Sequence, residues 1–258
     1  MNKLVLYSVE DRVASITINR PEKRNALNPQ LISDLTETFI LASEDEAVKV
    51  IILKANGNSF SAGADLEYLQ QLQLNTFEEN VADSNNLKKL FTTVYYLPKV
   101  VIAQVEGHAI AGGCGLATIC DFVFATPESN FGYTEVKIGF VPAIVSCFLK
   151  QKVNETIAKE LLLTGEIFSA EKALHYNLIN FVTNSSEIHQ TVKEFALSLC
   201  RERSGNSLMI TKQLINQTTN PTLEKSLEFA VQINARVRES EDFKKGIASF
   251  LNKEKINW

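Results

Sequence analysis

The chain has 258 residues, 45% of them hydrophobic, and a net charge of −4 with no long basic run. That is enough apolar material for one domain, or one large and one small, and the lack of clustered Lys and Arg excludes a nucleic-acid partner. The four cysteines form no CxxC pair and no zinc spacing, no apolar run approaches the roughly 18 residues of a membrane span, and no secretory leader precedes the first strand-like segment, so a soluble cytoplasmic protein with free thiols and no metal is expected.

In chain order, Leu4 to Val9 and Val13 to Asn19 alternate around Asp11-Arg12 and predict a hairpin. Arg20 to Asn25 is a polar loop. Asn28-Pro29 then reads as an N-cap and first helical residue, with Leu31, Leu35, Phe39 and Ala42 at helical spacing. Val48 to Leu53 is a continuous apolar strand, followed by a glycine turn at 61–63 and a short helix opening at Asp65. A helix is predicted over Phe77 to Tyr96, stopped by Pro98, and a buried strand over Val100 to Val105. Alternating strands and helices indicate parallel βαβ units, whose ligands bind beyond the carboxyl ends of the strands.

A second glycine turn holds Gly107, Gly112, Gly113 and Gly115. It lacks the Lys-Ser/Thr ending of a phosphate-binding loop and the spacing of a dinucleotide fingerprint. Small residues there serve either close packing or the presentation of backbone N–H groups, and two such groups from two turns can hold one developing oxyanion. Glu135 follows in a loop after the next strand as a lone acid. Beyond about residue 186 the chain is helical, with patterns at 187–203, 206–217, 222–237 and 239–253, and carries more apolar surface than a short helical tail buries alone.

Several of these segments together resemble the enoyl-CoA hydratase/isomerase (crotonase) family. They are Phe60-Ser61-Ala62-Gly63-Ala64-Asp65-Leu66, Pro98 to Gly107 with Ala111-Gly112-Gly113-Cys114, Cys120-Asp121, Phe131-Gly132, and Glu135 to Gly139. Arg20-Pro21 with Asn25-Ala26-Leu27 and Phe250 to Lys253 continue the match. The resemblance implies an α/β fold, a spiral of ββα units over residues 1–185, with a helical oligomerisation region over 186–258 forming a trimer or a dimer of trimers. It implies an acyl-CoA thioester substrate and no cofactor besides the CoA within that substrate. The N–H groups of Ala62 and Gly112 would hold the thioester oxygen, and Glu135 would act as acid and base on the enolate. Arg24 and Ala26 would lie by the CoA nucleotide, with Ala64, Asp65 and Leu66 along the adenine and pantetheine path. Gly113 would line the same turn, and Lys253 would reach a CoA phosphate. His108 reads either as a turn-structuring residue or as a holder of water or a substrate carboxylate, and Tyr133 as a core aromatic or a pocket group.

One position departs from the pattern. Hydratases of the family carry a second glutamate where this chain has Gly115. Hydration uses both acids, whereas one carboxylate suffices to move a proton between two carbons. The expected activity is therefore enoyl-CoA hydration, with branched substrates such as 3-methylglutaconyl-CoA included, or Δ3,Δ2-enoyl-CoA isomerisation by a single Glu. A CoA-binding homologue without chemistry is the remaining alternative.

Overall fold

A computed structural model describes residues 3–219, 222–254, 256 and 258, with only the backbone of Leu223 and Phe250. The chain opens with the hairpin β1 (Val5–Glu10) and β2 (Val13–Ile18), then α1 (Pro29–Glu44), capped by the Asn28 side chain on Leu31 N–H. β3 (Val50–Ala55) and β4 (Ser59–Ser61) lead into α2 (Leu66–Leu72) and α3 (Phe77–Tyr96). β5 (Val100–Val105), β6 (His108–Ile110) and α4 (Gly112–Thr118) repeat the plan, as do β7 (Phe122–Ala125), β8 (Asn130–Gly132), α5 (Ala143–Lys152) and α6 (Glu155–Thr164). β9 (Ile167–Ser169), α7 (Ala170–His175) and β10 (Phe181–Val182) complete the core, and α8 (Ile188–Glu202), α9 (Gly205–Thr218), α10 (Leu223–Glu239) and α11 (Glu241–Asn252) follow.

The strands form two sheets, β1-β2-β3-β5-β7-β10 and β4-β6-β8-β9. Pairs β2/β3, β3/β5, β5/β7 and β7/β10 are parallel, so each needs a crossover. From β3 to β7 every crossover first lays a three-residue strand into the second sheet and then adds one or more helices. This stepwise repetition is the expected ββα spiral. It stacks the turns after β4, β6 and β8 at one end, which is where the two glycine turns and Glu135 meet.

Alternation splits the large sheet's side chains between two apolar layers. Ile16, Ile18, Ile51, Leu53, Val101 and Ala103 face α1 and α3, while Val50, Ile52, Val100 and Ile102 face α8 through Ile188, Val192, Ala196 and Leu199. Thus α8, though within the helical region 186–258, closes the second face of this chain's own sheet. Lysines then satisfy carbonyls at helix ends. Lys99 Nζ donates to Ala42 O at 2.8 Å and Asp45 O at 2.5 Å beyond α1, and Lys212 Nζ donates to Lys99 O at 3.1 Å and pairs with Asp121 at 2.7 Å, docking α9.

Candidate active site

The site begins with the loop before α1. Arg24 and Asn25 adopt left-handed backbone at φ 51° and 55°. Asn25 is fully buried: its Oδ1 accepts from Arg20 N–H at 2.8 Å, and its Nδ2 donates to Asn56 O at 2.8 Å and Ser59 O at 2.7 Å. This clamps the loop against the entry to β4, a role that nothing in the local sequence discloses. Three backbone bonds extend the clamp. Ala62 N–H donates to Arg24 O at 3.0 Å, Leu27 N–H to Gly63 O at 2.7 Å, and Asp65 N–H to Leu27 O at 2.9 Å.

These bonds correct one assignment. The Ala62 N–H, expected in the oxyanion hole, is consumed by Arg24 O. Among the described residues the Ala64 N–H has no acceptor, because Ala64 pairs with Leu27 through its two neighbours' backbone groups. Gly63 makes the reversal possible at φ 86°. A Cβ there would lie 2.8 Å from Ala111 Cβ and Ile110 O, and 3.4 Å from Gly112 N. The two glycine turns are therefore in direct contact.

The second turn is strained. Ala111 has φ 50° and ψ −125°, a region costly for a residue with a Cβ, and is held by its N–H on Gly132 O at 2.7 Å. Gly112 follows as the first residue of α4, where an N–H has no intrahelical acceptor. Gly113 serves packing: a Cβ on it would lie 2.5 Å from Ser61 O, so α4 presses directly on β4 and brings Gly112 beside Gly63 and Ala64.

Asp65 is likewise structural. Its Oδ1 caps α2 by accepting from Glu67 N–H at 3.0 Å and Tyr68 N–H at 3.4 Å, and its Oδ2 pairs with Arg20 Nη1 at 2.6 Å. Burial pushes its carboxyl up, but the Arg20 bond and the two N–H groups outweigh it and hold it below the usual carboxylate range. A depressed pKa contributes stability that is present above the ordinary carboxyl range and lost as pH falls through the depressed value. Asp65→Ala is expected to lower stability by on the order of 2 kcal/mol at neutral pH, read from the urea midpoint, with the loss shrinking at low pH.

Glu135 opens a short 3-10 turn, Glu135–Ile138, closed by Gly139 in left-handed conformation and by Phe140 N–H on Glu135 O at 3.0 Å. The residue is only 8% exposed, and Oε2 is buried with no hydrogen-bond partner among the described residues. Burial raises its pKa, opposed by its own backbone N–H. The Cys114 thiol, inside the first turn of α4, is pushed up to about 12 chiefly by burial, with the Glu135 charge adding to it. β8 runs parallel to β6, so the turn that carries Glu135 opens at the same end of the small sheet as the N-terminus of α4. A buried carboxyl with an unpartnered oxygen, at the same end of the sheet as two unpaired N–H groups, is an arrangement for moving a proton next to a developing oxyanion.

The other anticipated residues divide. Arg24 and Leu66 are exposed and Ala26 is buried, all on the loop pair that carries Ala64. Tyr133 is fully buried, and its hydroxyl lies 3.1 Å from Thr118 Oγ1. His108 is exposed at the start of β6, its Nδ1 3.3 Å from Asn130 Nδ2. Lys253 is exposed just past α11, and no contact of the described residues ties it to the turns. Between α3 and α5, Phe77, Val81, Ser84, Lys88 and Ile144 line a groove of about 310 Å³. No cluster of His, Cys, Asp and Glu among the described residues could hold a metal, and no described helix is long and apolar enough to cross a membrane.

The enoyl-CoA hydratase/isomerase family model matches residues 8–258. The chain belongs to that family. It is an enzyme of the hydratase or isomerase type. A Thermus thermophilus protein whose name assigns it provisionally to the enoyl-CoA hydratases is 39% identical over 93% of this chain and 95% of its own. The trans-2-decenoyl-acyl-carrier-protein isomerase of Streptococcus mutans is 26% identical over 97% of this chain and 96% of its own. The crystal structure of an enoyl-CoA hydratase from Mycobacterium smegmatis superposes with a TM-score of 0.92 at 26% identity, covering 100% of this chain and 99% of that one. The family thus accommodates both reactions on one fold, and the local geometry of the site decides between them.

Proposed function

We propose that this enzyme acts on an enoyl-CoA thioester. The thioester oxygen accepts from the N–H groups of Ala64 and Gly112, and Glu135 carries the proton. The observation that supports this reading most is the Glu135 carboxyl, buried with one oxygen unpartnered at the same end of the small sheet as two unpaired N–H groups. The donors are strongest where negative charge builds up, on the oxygen of the enolate, and the fixed backbone needs no reorganisation to meet it. Glu135 as carboxylate removes a proton from the carbon beside the carbonyl, or as carboxylic acid delivers one there. The same residues in a CoA-binding protein without chemistry would have no reason to keep a carboxyl dry and unpaired.

Arg24, Ala26 and Leu66 line the approach for the CoA portion, and the groove beside Phe77, Val81 and Ile144 takes the acyl portion. Exposed Leu227, Val231, Phe243, Ile247 and Leu251 on α10 and α11 form the surface for homo-oligomer association, with trimer or hexamer as the expected state. A panel of straight and branched 2-enoyl- and 3-enoyl-CoA thioesters tests the reading. Turnover of at least one is expected, and binding of CoA with no turnover of any would end it.

A further inference from the structure

We infer that Lys88 sets the substrate class: the enzyme favours enoyl thioesters whose acyl chain ends in a carboxylate. The inference rests on the proposed thioester chemistry and names the acyl portion that the groove takes. The groove between α3 and α5 has two kinds of wall. Phe77, Val81 and Ile144 are apolar, whereas Asn80, Ser84 and Lys88 recur at every fourth position of α3 and form one polar row. At 1.5 Å per residue that row runs for about 12 Å. Its Lys88 end is the one beside the reacting centre. Phe91, one turn beyond Lys88, and Val145, next to Ile144, are the two side chains nearest to a Cβ placed on Gly115, and Gly115 is one turn from Gly112 in α4.

Lys88 has no internal counter-ion. Among the described residues its ammonium makes no hydrogen bond or ion pair, and neither do the side chains of Asn80 and Ser84. Its helix neighbours three and four positions away are Ser84, Asn85, Phe91 and Thr92, none of them acidic. The acids of α3 are engaged or remote. Glu79 closes the capping box on Thr76, Asp83 accepts from Tyr68 Oη at 2.5 Å, and Glu78 lies ten positions before Lys88. Lys99, Lys152 and Lys212, by contrast, donate to carbonyl oxygens of this chain. An unpaired cation at the end of an apolar-walled groove matches an acyl chain that carries an anion at its far end. A carboxylate there pairs with the ammonium while the chain lies on Ile144, and the Ser84 hydroxyl one turn away is placed to donate to it. A methyl end would take water from both groups and return no bond.

The test compares 2-hexenoyl-CoA with the 2-hexenedioyl mono-CoA thioester, and the 3-enoyl isomer of each, for wild type, Lys88→Met, Lys88→Glu and Lys89→Met. Each pair differs only in a methyl or a carboxylate at the chain end. Both lysines are exposed, so the substitutions leave the core untouched, which circular dichroism checks. Wild type is expected to show a kcat/KM at least about 10-fold higher for the carboxylated thioester, the size of one charge-assisted hydrogen bond. Lys88→Met is expected to erase that preference and Lys88→Glu to reverse it. Lys89→Met, which removes the same charge from the neighbouring position outside the groove lining, is expected to retain it. A wild type indifferent to the chain end, a preference that persists in Lys88→Met or Lys88→Glu, or an equal loss in Lys89→Met would each overturn the inference. Turnover that ignores the chain end but is lost in Glu135→Gln would sink only this inference. Turnover of none of these thioesters would sink the proposed function as well.

Discussion

Glu135→Gln is expected to lower kcat by about 10²–10⁴-fold while leaving the fold intact, the span of a lost general acid–base group. Gln is nearly isosteric and neutral, so CoA-thioester binding should change little and the loss should fall on kcat rather than KM. Stability gives an independent reading. The folded-state pKa of Glu135 lies above its ordinary value because burial penalises the carboxylate. The native state therefore binds more protons than the unfolded chain between the ordinary and the raised pKa, and stability falls as pH rises through that window. Gln removes the penalty. The variant is expected to be at least as stable as wild type above the window, with a flatter dependence of urea midpoint on pH. The wild-type rate for proton abstraction should rise as pH climbs through the raised pKa, since the base must be ionised. A residue in a merely structural role would show the reverse: lower stability on substitution and no change in the pH–rate profile.

Gly112→Pro is expected to cost about 10²–10³-fold in kcat, the effect of losing one oxyanion donor. The substitution deletes the N–H, sets the ring Cδ in its place and restricts Ala111, whose ψ of −125° lies outside the range preferred before proline. Proline is favoured at the first position of a helix, where the N–H has no intrahelical acceptor, and an added Cβ would meet only Leu27 Cδ1 at 3.4 Å. Circular dichroism checks that the fold survives, and affinity for free CoA, which lacks the thioester oxygen, should fall far less than the rate. Equal losses in binding and turnover would mean that the turn serves ground-state binding only. A rate within threefold of wild type would remove Gly112 from the oxyanion hole.

Much of this architecture was legible from residue patterns, and the failures have physical causes. The hairpin, the Asn28-Pro29 helix start, the helix over Phe77–Tyr96 and the strand over Val100–Val105 stand where their caps, spacing and prolines place them. The strand expected at Val48 begins at Val50, because its ladder starts opposite Val13. The second sheet left no signal: its strands are three residues long, too short for a period of two to show. The site divides in the same way. Glu135 and Gly112 were readable as parts of motifs. The choice of Ala64 over Ala62 was not, since it depends on a carbonyl 38 positions away, that of Arg24.

The central claim is that a thioester oxygen held by Ala64 and Gly112 lets Glu135 alone move a proton. The most direct measurement is product analysis by NMR after incubating the enzyme with a 3-enoyl-CoA thioester. Conversion to the 2-enoyl isomer or its hydroxyacyl hydration product is expected, and it is lost in Glu135→Gln. Conversion that persists in Glu135→Gln would contradict it.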